Sequence, residues 1–160
     1  MIFSSIIWNA AYPYRQEILN DIMNFYPISN TYIYNLTGVY DAFVMDVYAA
    51  DNIPAQRVAL KLKYMNKFKG SSIVRFDIDI VNLTEVYMPR KQRNVFAEPE
   101  QLKDQIRQKY STLIKPYFFD TILHMTETEQ ERQILNITLE KYSKLKTEFV
   151  IKGKDLQCQK

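Results

Sequence analysis

The stretch Ser72-Ile-Val-Arg-Phe-Asp-Ile-Asp-Ile-Val81 alternates apolar and charged residues along most of its length. Because successive side chains of an extended chain point to opposite faces, the alternation sorts them into two rows. The apolar row consists of Val74, Phe76, Ile78 and Ile80. The charged row consists of Arg75, Asp77 and Asp79. The pattern predicts a strand over residues 72–81 with one wet face, as is common in antiparallel sheets.

Three more segments have the composition of strands, and helical patterns lie between and after them. The strand-like segments cover residues 2–9, 29–36 and 118–123. Apolar spacing predicts one helix that starts near Pro13 and ends at Pro27, and others over residues 39–50, 54–68, 99–114 and 127–146. On helix 99–114, the side expected to face the core carries Leu102, Ile106, Tyr110 and Leu113. A short helix is expected after Asn82, followed by a loop that carries the basic residues 89–93.

This order of elements predicts an α+β fold. We expect a ferredoxin-like arrangement, in which four largely antiparallel strands form one sheet and the helices pack on one face. The chain has 160 residues, of which 47% are apolar, so one core and one domain are expected. We place the domain at residues 1–151 and a polar tail at residues 152–160.

Composition also narrows the class of protein. A net charge of +3 is too small to indicate nucleic acid as a partner. The single cysteine, Cys158, cannot form a disulfide within the chain, which favours a reducing, cytoplasmic location. The apolar runs are too short to span a membrane, and the N-terminus lacks the basic segment of a signal peptide.

The only histidine of the chain, His124, lies in the segment Ile122-Leu-His-Met-Thr-Glu-Thr-Glu129. A helix start follows at once, because Thr126 with Glu129, and Thr128 with Glu131, have the spacing of a capping box. A histidine before a helix N-terminus lies near free backbone N–H groups that favour a bound phosphate. Two interpretations remain open, a phosphotransfer site and a purely structural histidine.

The order of elements, with His124 at the end of the last strand, resembles the nucleoside diphosphate kinases over most of residues 3–146. The segment His124-Met-Thr-Glu-Thr128 is similar to the family's His-Gly-Ser-Asp-Ser motif. Tyr48, which precedes Asp51 and Pro54, resembles the tyrosine that packs near the nucleotide. Arg107 is similar to an arginine that holds phosphate. The second phosphate-binding arginine corresponds to either Arg90 or Arg93.

The resemblance implies a phosphotransferase that forms phosphohistidine on His124. It implies phosphate contacts from Arg107 and from Arg90 or Arg93, and a supporting role for Thr126 and Glu127 at the start of the last helix. It also implies Mg²⁺ bound with the nucleotide and a homo-oligomer, since these kinases are oligomers.

The chain departs from the family at three positions. Its first strand ends Ile7-Trp8-Asn9, where the family has a phosphate-binding lysine. Met125 replaces the glycine after the histidine, and Thr121 replaces the asparagine three residues before it. The alternative is therefore a module on the same scaffold that binds a nucleotide or a protein without catalysis.

A third hypothesis concerns Asp77 and Asp79, which lie on the same strand face. Two carboxylates two residues apart can bind divalent ions, as in metal-dependent nucleotidyltransferases. We favour the simpler interpretation of them as polar outward positions of a half-exposed strand. The twelve tyrosines fall mostly where a core would use them, so we interpret them as packing residues rather than a stacking surface for bases.

Overall fold

The computed structural model describes residues 1–51, 53–115 and 121–151. Its strands are β1 (Ile2–Ile7), β2 (Ile28–Asn35), β3 (Ser72–Asp79), β4 (Glu85–Met88), β5 (Arg93–Phe96), β6 (Leu123–Met125) and β7 (Lys146–Glu148). Its α-helices are α1 (Arg15–Met23), α2 (Tyr40–Ala49), α3 (Ala55–Met65), α4 (Ala97–Ser111) and α5 (Glu129–Lys141). Short 3₁₀ segments, Asn9–Tyr14 and Ser143–Leu145, precede α1 and follow α5.

The predicted α+β class is confirmed, and the main sheet is antiparallel. Five strands lie in the order β6-β1-β3-β2-β7, and every neighbouring pair is antiparallel. The predicted apolar row of residues 72–81 is buried in β3, as Val74, Phe76 and Ile78 show. The predicted wet face is not observed, because Asp77 and Ile73 on the opposite face are also buried. Among the described residues, β6 is an edge strand that pairs with β1 alone, with His124 opposite Ile6.

The prediction that the helices pack on one face is wrong, because both faces of the sheet are covered. One buried cluster joins Phe3 and Ile7 of β1 to side chains of α1 and α4. The other joins Ile6 of the same strand, and Trp8 beyond it, to side chains of α2, α3 and α5. The physical reason is visible in β1, where successive residues are apolar, so a single layer of helices would leave one face exposed.

The main sheet has five strands rather than the predicted four, and a separate hairpin contains two more. α5 ends at Lys141 rather than residue 146, and β7 then pairs with β2 at the outer edge. The short helix expected after Asn82 is absent from the described residues, where β4 and β5 pair as a hairpin. Residues 89–92 form its turn, which Gln92 closes with a φ of 53°, and the last residue of the predicted basic loop, Arg93, begins β5. This hairpin carries three cationic side chains to the edge of the sheet beside β6.

Two details near the site also differ from the prediction. Part of the expected strand 118–123 lies outside the described residues, and β6 begins at Leu123, so His124 is inside the strand rather than at its end. Leu113, expected to face the core, is 53% exposed. Because α4 ends at Ser111, Leu113 no longer follows the helical spacing, and Ile114 is buried instead. Among the described residues, no helix has the length and apolar character needed to cross a membrane.

Candidate functional site

A cavity of about 620 Å³ lies beside β6, the edge strand that carries His124. Its walls come from the α2–α3 connection, α3, the β4–β5 turn, α4 and the segment between β6 and α5. Seven cationic side chains line it: Arg57, Lys61, Arg90, Lys91, Arg93, Lys103 and Arg107. Five acidic side chains line it as well: Asp51, Glu100, Asp104, Glu127 and Glu131. The described lining therefore carries an excess of positive charge.

His124 forms part of the cavity wall and is only 6% exposed. Its ring centroid lies 5.5 Å from that of Tyr48, edge to face, and 6.1 Å from that of Trp8. Trp8 and Tyr48 stack on each other at 5.7 Å. Nε2 of His124 lies 3.8 Å from Oδ2 of Asp51, which follows α2. Two aromatic rings and one carboxylate thus fix the orientation of the imidazole.

The surroundings keep this imidazole neutral. Burial, and then the charges of Lys103, Arg107 and Lys61, lower the pKa of His124 to about 3. Burial also raises the pKa of Asp51 to about 7, with a further contribution from Glu131 and Glu127. A neutral imidazole keeps a lone pair, which is the state that a nucleophilic histidine requires.

The carboxylate of Glu127 lies at the centre of an ion-pair network on the cavity wall. Oε1 contacts the ammonium groups of Lys91 and Lys103, and Oε2 lies 3.4 Å from Nη2 of Arg93. Burial favours the neutral acid, but the hydrogen-bonded Glu100 side chain and the Lys103 ammonium outweigh it and keep the pKa of Glu127 well below its usual value. Glu127 is therefore an anion at neutral pH.

Two more carboxylates complete this network, which we call the edge cluster. Glu100 lies 2.8 Å from Nζ of Lys103 and 3.2 Å from both Nζ of Lys91 and Nη2 of Arg90. Glu131 lies 2.6 Å from Nη2 of Arg93. The edge cluster consists of Arg90, Lys91, Arg93, Lys103, Glu100, Glu127 and Glu131. The three carboxylates are buried, whereas Arg90 and Arg93 are exposed toward the cavity mouth.

Two further cations approach His124 from the helices. Arg107 of α4 donates from Nε and Nη2 to the carbonyl oxygen of Leu123, at 3.2 and 2.9 Å. This contact anchors the arginine to the residue before His124. Lys61 of α3 is buried, and its Nζ lies 5.0 Å from the centroid of the Tyr48 ring.

One of the two predicted capping boxes marks the start of α5. Thr128 is the N-cap, and its hydroxyl accepts a 3.2 Å hydrogen bond from the N–H of Glu131, as predicted. The Glu131 carboxylate reaches back to the N–H of Glu127, at 3.0 Å. The pair Thr126 and Glu129 is not a capping box, because the helix begins two residues later than that pair requires. The hydroxyl of Thr126 is buried with no hydrogen-bond partner among the described residues.

The structure brings most of the predicted site residues together. His124, Tyr48, Arg107, Glu127 and both Arg90 and Arg93 line the same cavity. Sequence reasoning missed Lys61 and Lys103, although each stands four residues from an arginine on its own helix, Arg57 and Arg107 respectively. Since residues four apart share a helix face, two such cation pairs were a signal that α3 and α4 each present a basic face.

Asp77 and Asp79 lie apart from this cavity, on β3. Asp77 belongs to what we call the mid-sheet cluster, with Ser4, Tyr34 and Arg75. Its Oδ1 accepts from Ser4 Oγ at 2.7 Å and pairs with Arg75 Nε at 3.4 Å, and Arg75 donates to the Tyr34 hydroxyl at 3.1 Å. Asp79 pairs with the N-terminal ammonium at 3.1 Å. Within the described ranges, no group of three or more His, Cys, Asp or Glu side chains is placed to hold a metal ion.

No protein-family model, curated protein or solved structure matches this chain. The function is therefore argued from the geometry and charge of the cavity.

Proposed function

We propose that this protein is a nucleotide-binding phosphotransferase of the nucleoside diphosphate kinase type, with His124 as the nucleophile. The observation that carries the proposal is a neutral imidazole on the wall of a cavity lined by seven cationic side chains. Cations that line one pocket favour phosphate groups, and a neutral imidazole beside them can attack phosphorus.

The strand order supports the same assignment. The four strands β6, β1, β3 and β2 lie side by side in that order, with α1 between β1 and β2 and α4 between β3 and β6 along the chain. We interpret this order as that of a ferredoxin-like βαββαβ unit, to which α2, α3, the hairpin and β7 are additions. In this interpretation the second face of the sheet is covered by those additions.

In the proposed reaction, the imidazole lone pair attacks the γ-phosphorus of a nucleoside triphosphate. A P–N bond forms as the bond to the bridging oxygen breaks, and the nucleoside diphosphate leaves with the bonding electrons. A second nucleotide then takes the phosphoryl group from the phosphohistidine. Arg107, Lys61 and Lys103 balance the charge on the transferring group, and Tyr48 and Trp8 hold the ring in place.

Lys61 and Lys103 also bear on the absence from the first strand of the family's phosphate-binding lysine. Both ammonium groups act on His124 strongly enough to lower its pKa, so both lie within its electrostatic reach. We propose that α3 and α4 supply the positive charge that β1 does not. Mg²⁺ enters the proposal bound by phosphate oxygens of the nucleotide, where it neutralises part of their charge.

A non-catalytic module is the second candidate, and a specific observation favours it. His124 is 6% exposed, so only a small part of the imidazole is accessible to a phosphorus atom in the cavity. Four of the cavity's cations are also paired with carboxylates of the edge cluster. A domain with these properties binds a phosphate-bearing ligand, or an acidic surface of another protein, without transferring phosphate.

One experiment separates the two candidates. The protein is incubated with ATP labelled at the γ-phosphate and Mg²⁺, and acid-labile, base-stable label on the protein is measured beside ATP binding by calorimetry. Phosphotransfer predicts label in the wild type and in Glu129→Gln, a matched variant outside the cavity, and none in His124→Ala. Retained ATP binding without label in any variant supports the module. Absence of both label and binding contradicts both candidates.

Self-association and a cytoplasmic location are further parts of the proposal. Met45 of α2 and Ile137 of α5 are exposed apolar side chains on helices that contact each other. Such side chains favour burial against another copy of the chain. Light scattering at micromolar concentration tests this, because a strict monomer contradicts it.

A further inference from the structure

Three cations from three separate elements converge on the carboxylate of Glu127. Lys91 comes from the β4–β5 turn, Arg93 from β5 and Lys103 from α4, whereas Glu127 itself lies between β6 and α5. A carboxylate held from several sides by ammonium and guanidinium groups has the environment that proteins give to phosphate oxygens. The side chain of Glu127 thus occupies a position suited to an oxyanion.

This position lies on the wall of the same cavity as the imidazole. Glu127, Lys103 and His124 all line that cavity, and the charges of Lys103 and Glu127 both act on His124. A phosphate group placed where the carboxylate now lies would therefore share the cavity and the cation Lys103 with the histidine.

The backbone of Glu127 is held independently of its side chain. Its carbonyl oxygen accepts from the N–H of Phe96 at 2.8 Å, and its own N–H donates to Glu131 at 3.0 Å. The side chain can consequently rotate away from the cations without any change in the segment that positions His124.

We propose that the carboxylate of Glu127 fills an oxyanion site formed by Lys91, Arg93 and Lys103, and that a phosphate group of the ligand displaces it. The inference rests on the proposed function for the identity of the ligand as a phosphate compound, but not on phosphoryl transfer. Two anions in one site repel each other, so the carboxylate competes with every ligand phosphate. The site is self-occupied in the free protein, and binding of the ligand is weakened by the need to move Glu127.

The test measures the affinity for inorganic pyrophosphate by calorimetry in the wild type and two variants. Glu127→Gln keeps the size of the side chain and removes its charge. Glu129→Gln removes the same charge two residues away, from a carboxylate that pairs with Arg132 and does not line the cavity. We expect Glu127→Gln to bind pyrophosphate at least about tenfold more tightly than the wild type, and Glu129→Gln to stay within about twofold. Equal or weaker binding in Glu127→Gln overturns the proposal, and so does an equal gain in both variants.

A second arm covers the case in which Glu127→Gln folds poorly because its three cations lose a partner. Its melting temperature is then measured with and without pyrophosphate, since a ligand that fills the site stabilises the folded state by mass action. The proposal expects a larger rise in Glu127→Gln than in the wild type, and expects Lys103→Met in the same background to remove that rise. A rise no larger than that of the wild type overturns it.

These results are independent of phosphoryl transfer. Pyrophosphate binding is measured without any phosphohistidine, so a protein that never labels can still show the tenfold gain. Conversely, a protein that labels on His124 while Glu127→Gln shows no gain retains the proposed function and loses only this inference.

Discussion

The mid-sheet cluster and the edge cluster are both networks of charged and polar side chains. All residues of the edge cluster line the cavity beside β6, whereas none of the mid-sheet cluster is among its lining residues. In the mid-sheet cluster, the carboxylate of Asp77 and the guanidinium of Arg75 meet beneath other side chains, with Ser4 and Tyr34 completing their hydrogen bonds. In the edge cluster, four cations meet three carboxylates along the wall of a cavity of about 620 Å³.

The difference shows that buried charge alone does not identify a binding site. The mid-sheet cluster pairs one cation with one anion and adds neutral hydrogen-bond partners, which satisfies both groups inside the protein. The edge cluster has one more cation than carboxylates, and Arg107, Lys61 and Arg57 line the same space. Surplus positive charge beside open volume is what an external anion requires.

The largest expected effect is the loss of folding stability when a cation is removed from either cluster. Lys103→Met leaves Glu100 and Glu127 short of a counter-charge, and Arg75→Met does the same to Asp77. Removing one partner of a buried ion pair costs about 3 kcal/mol or more, so both variants should lose that much free energy of unfolding in urea titrations. Only Lys103→Met should also weaken pyrophosphate binding. Weakened binding in Arg75→Met would break the distinction between the clusters.

Arg107 is expected to affect both binding and stability. Arg107→Ala should reduce the affinity for ATP by about 1.5–3 kcal/mol, the range for hydrogen bonds to charged groups. It should also lower the free energy of unfolding by about 1–2 kcal/mol, because the carbonyl of Leu123 loses its two donors. Arg107→Lys should restore part of the affinity, since an ammonium group cannot make the forked contact. Unchanged ATP affinity in both variants would remove Arg107 from the site.

The pair of Asp51 and His124 predicts a specific dependence of stability on pH. The pKa of Asp51 is raised to about 7 in the folded state, so its contribution is present below about pH 4 and is lost as the pH rises through 7. The pKa of His124 is lowered to about 3, so its contribution is present above about pH 6.5 and is lost as the pH falls through 3. Between about pH 4 and 6.5 the two slopes oppose each other in the wild type.

In Asp51→Asn only the slope from His124 remains. Its free energy of unfolding should therefore rise with pH across this window by up to about 1.4 kcal/mol per unit more than that of the wild type. Urea titrations at several pH values between 4.5 and 6.5 measure the difference. Parallel curves for the two proteins would contradict the assignment of a neutral His124 beside a protonated Asp51.

The smallest expected effect on stability is that of removing the charge of Asp79, the last residue of β3. Asp79 pairs with the N-terminal ammonium, and its side chain is 43% exposed. Asp79→Asn should therefore change the free energy of unfolding by no more than about 0.5 kcal/mol and leave ATP binding unchanged. Metal-dependent release of pyrophosphate that disappears in this variant, or in Asp77→Ala, would instead favour the nucleotidyltransferase hypothesis.

Part of the candidate site was accessible from sequence. The sequence predicts His124, Tyr48, Arg107, Arg90, Arg93 and Glu127 as site residues, and all of them line one cavity. Lys103 and Lys61 were not, because a lysine on a helix is usually exposed, and the arginine four residues away on each helix indicates a basic face without showing that the lysine is buried beside His124. Asp51 appeared only as part of a motif, and its approach to the imidazole depends on where the α2–α3 connection lies.

The sequence by itself determined the local features that depend on residues close together in the chain. These are the β3 alternation, the buried face of α4 through Leu102, Ile106 and Tyr110, and the cap at Thr128. Only the tertiary structure decided the rest. β7 joins the sheet through pairing with a strand more than a hundred residues earlier, and the β4–β5 hairpin brings its basic turn to α4 and Glu127. Such contacts depend on how distant segments pack together, so no local pattern contains them. The cavity beside His124 exists because the α2–α3 connection, α3, the β4–β5 turn, α4 and the segment between β6 and α5 meet there.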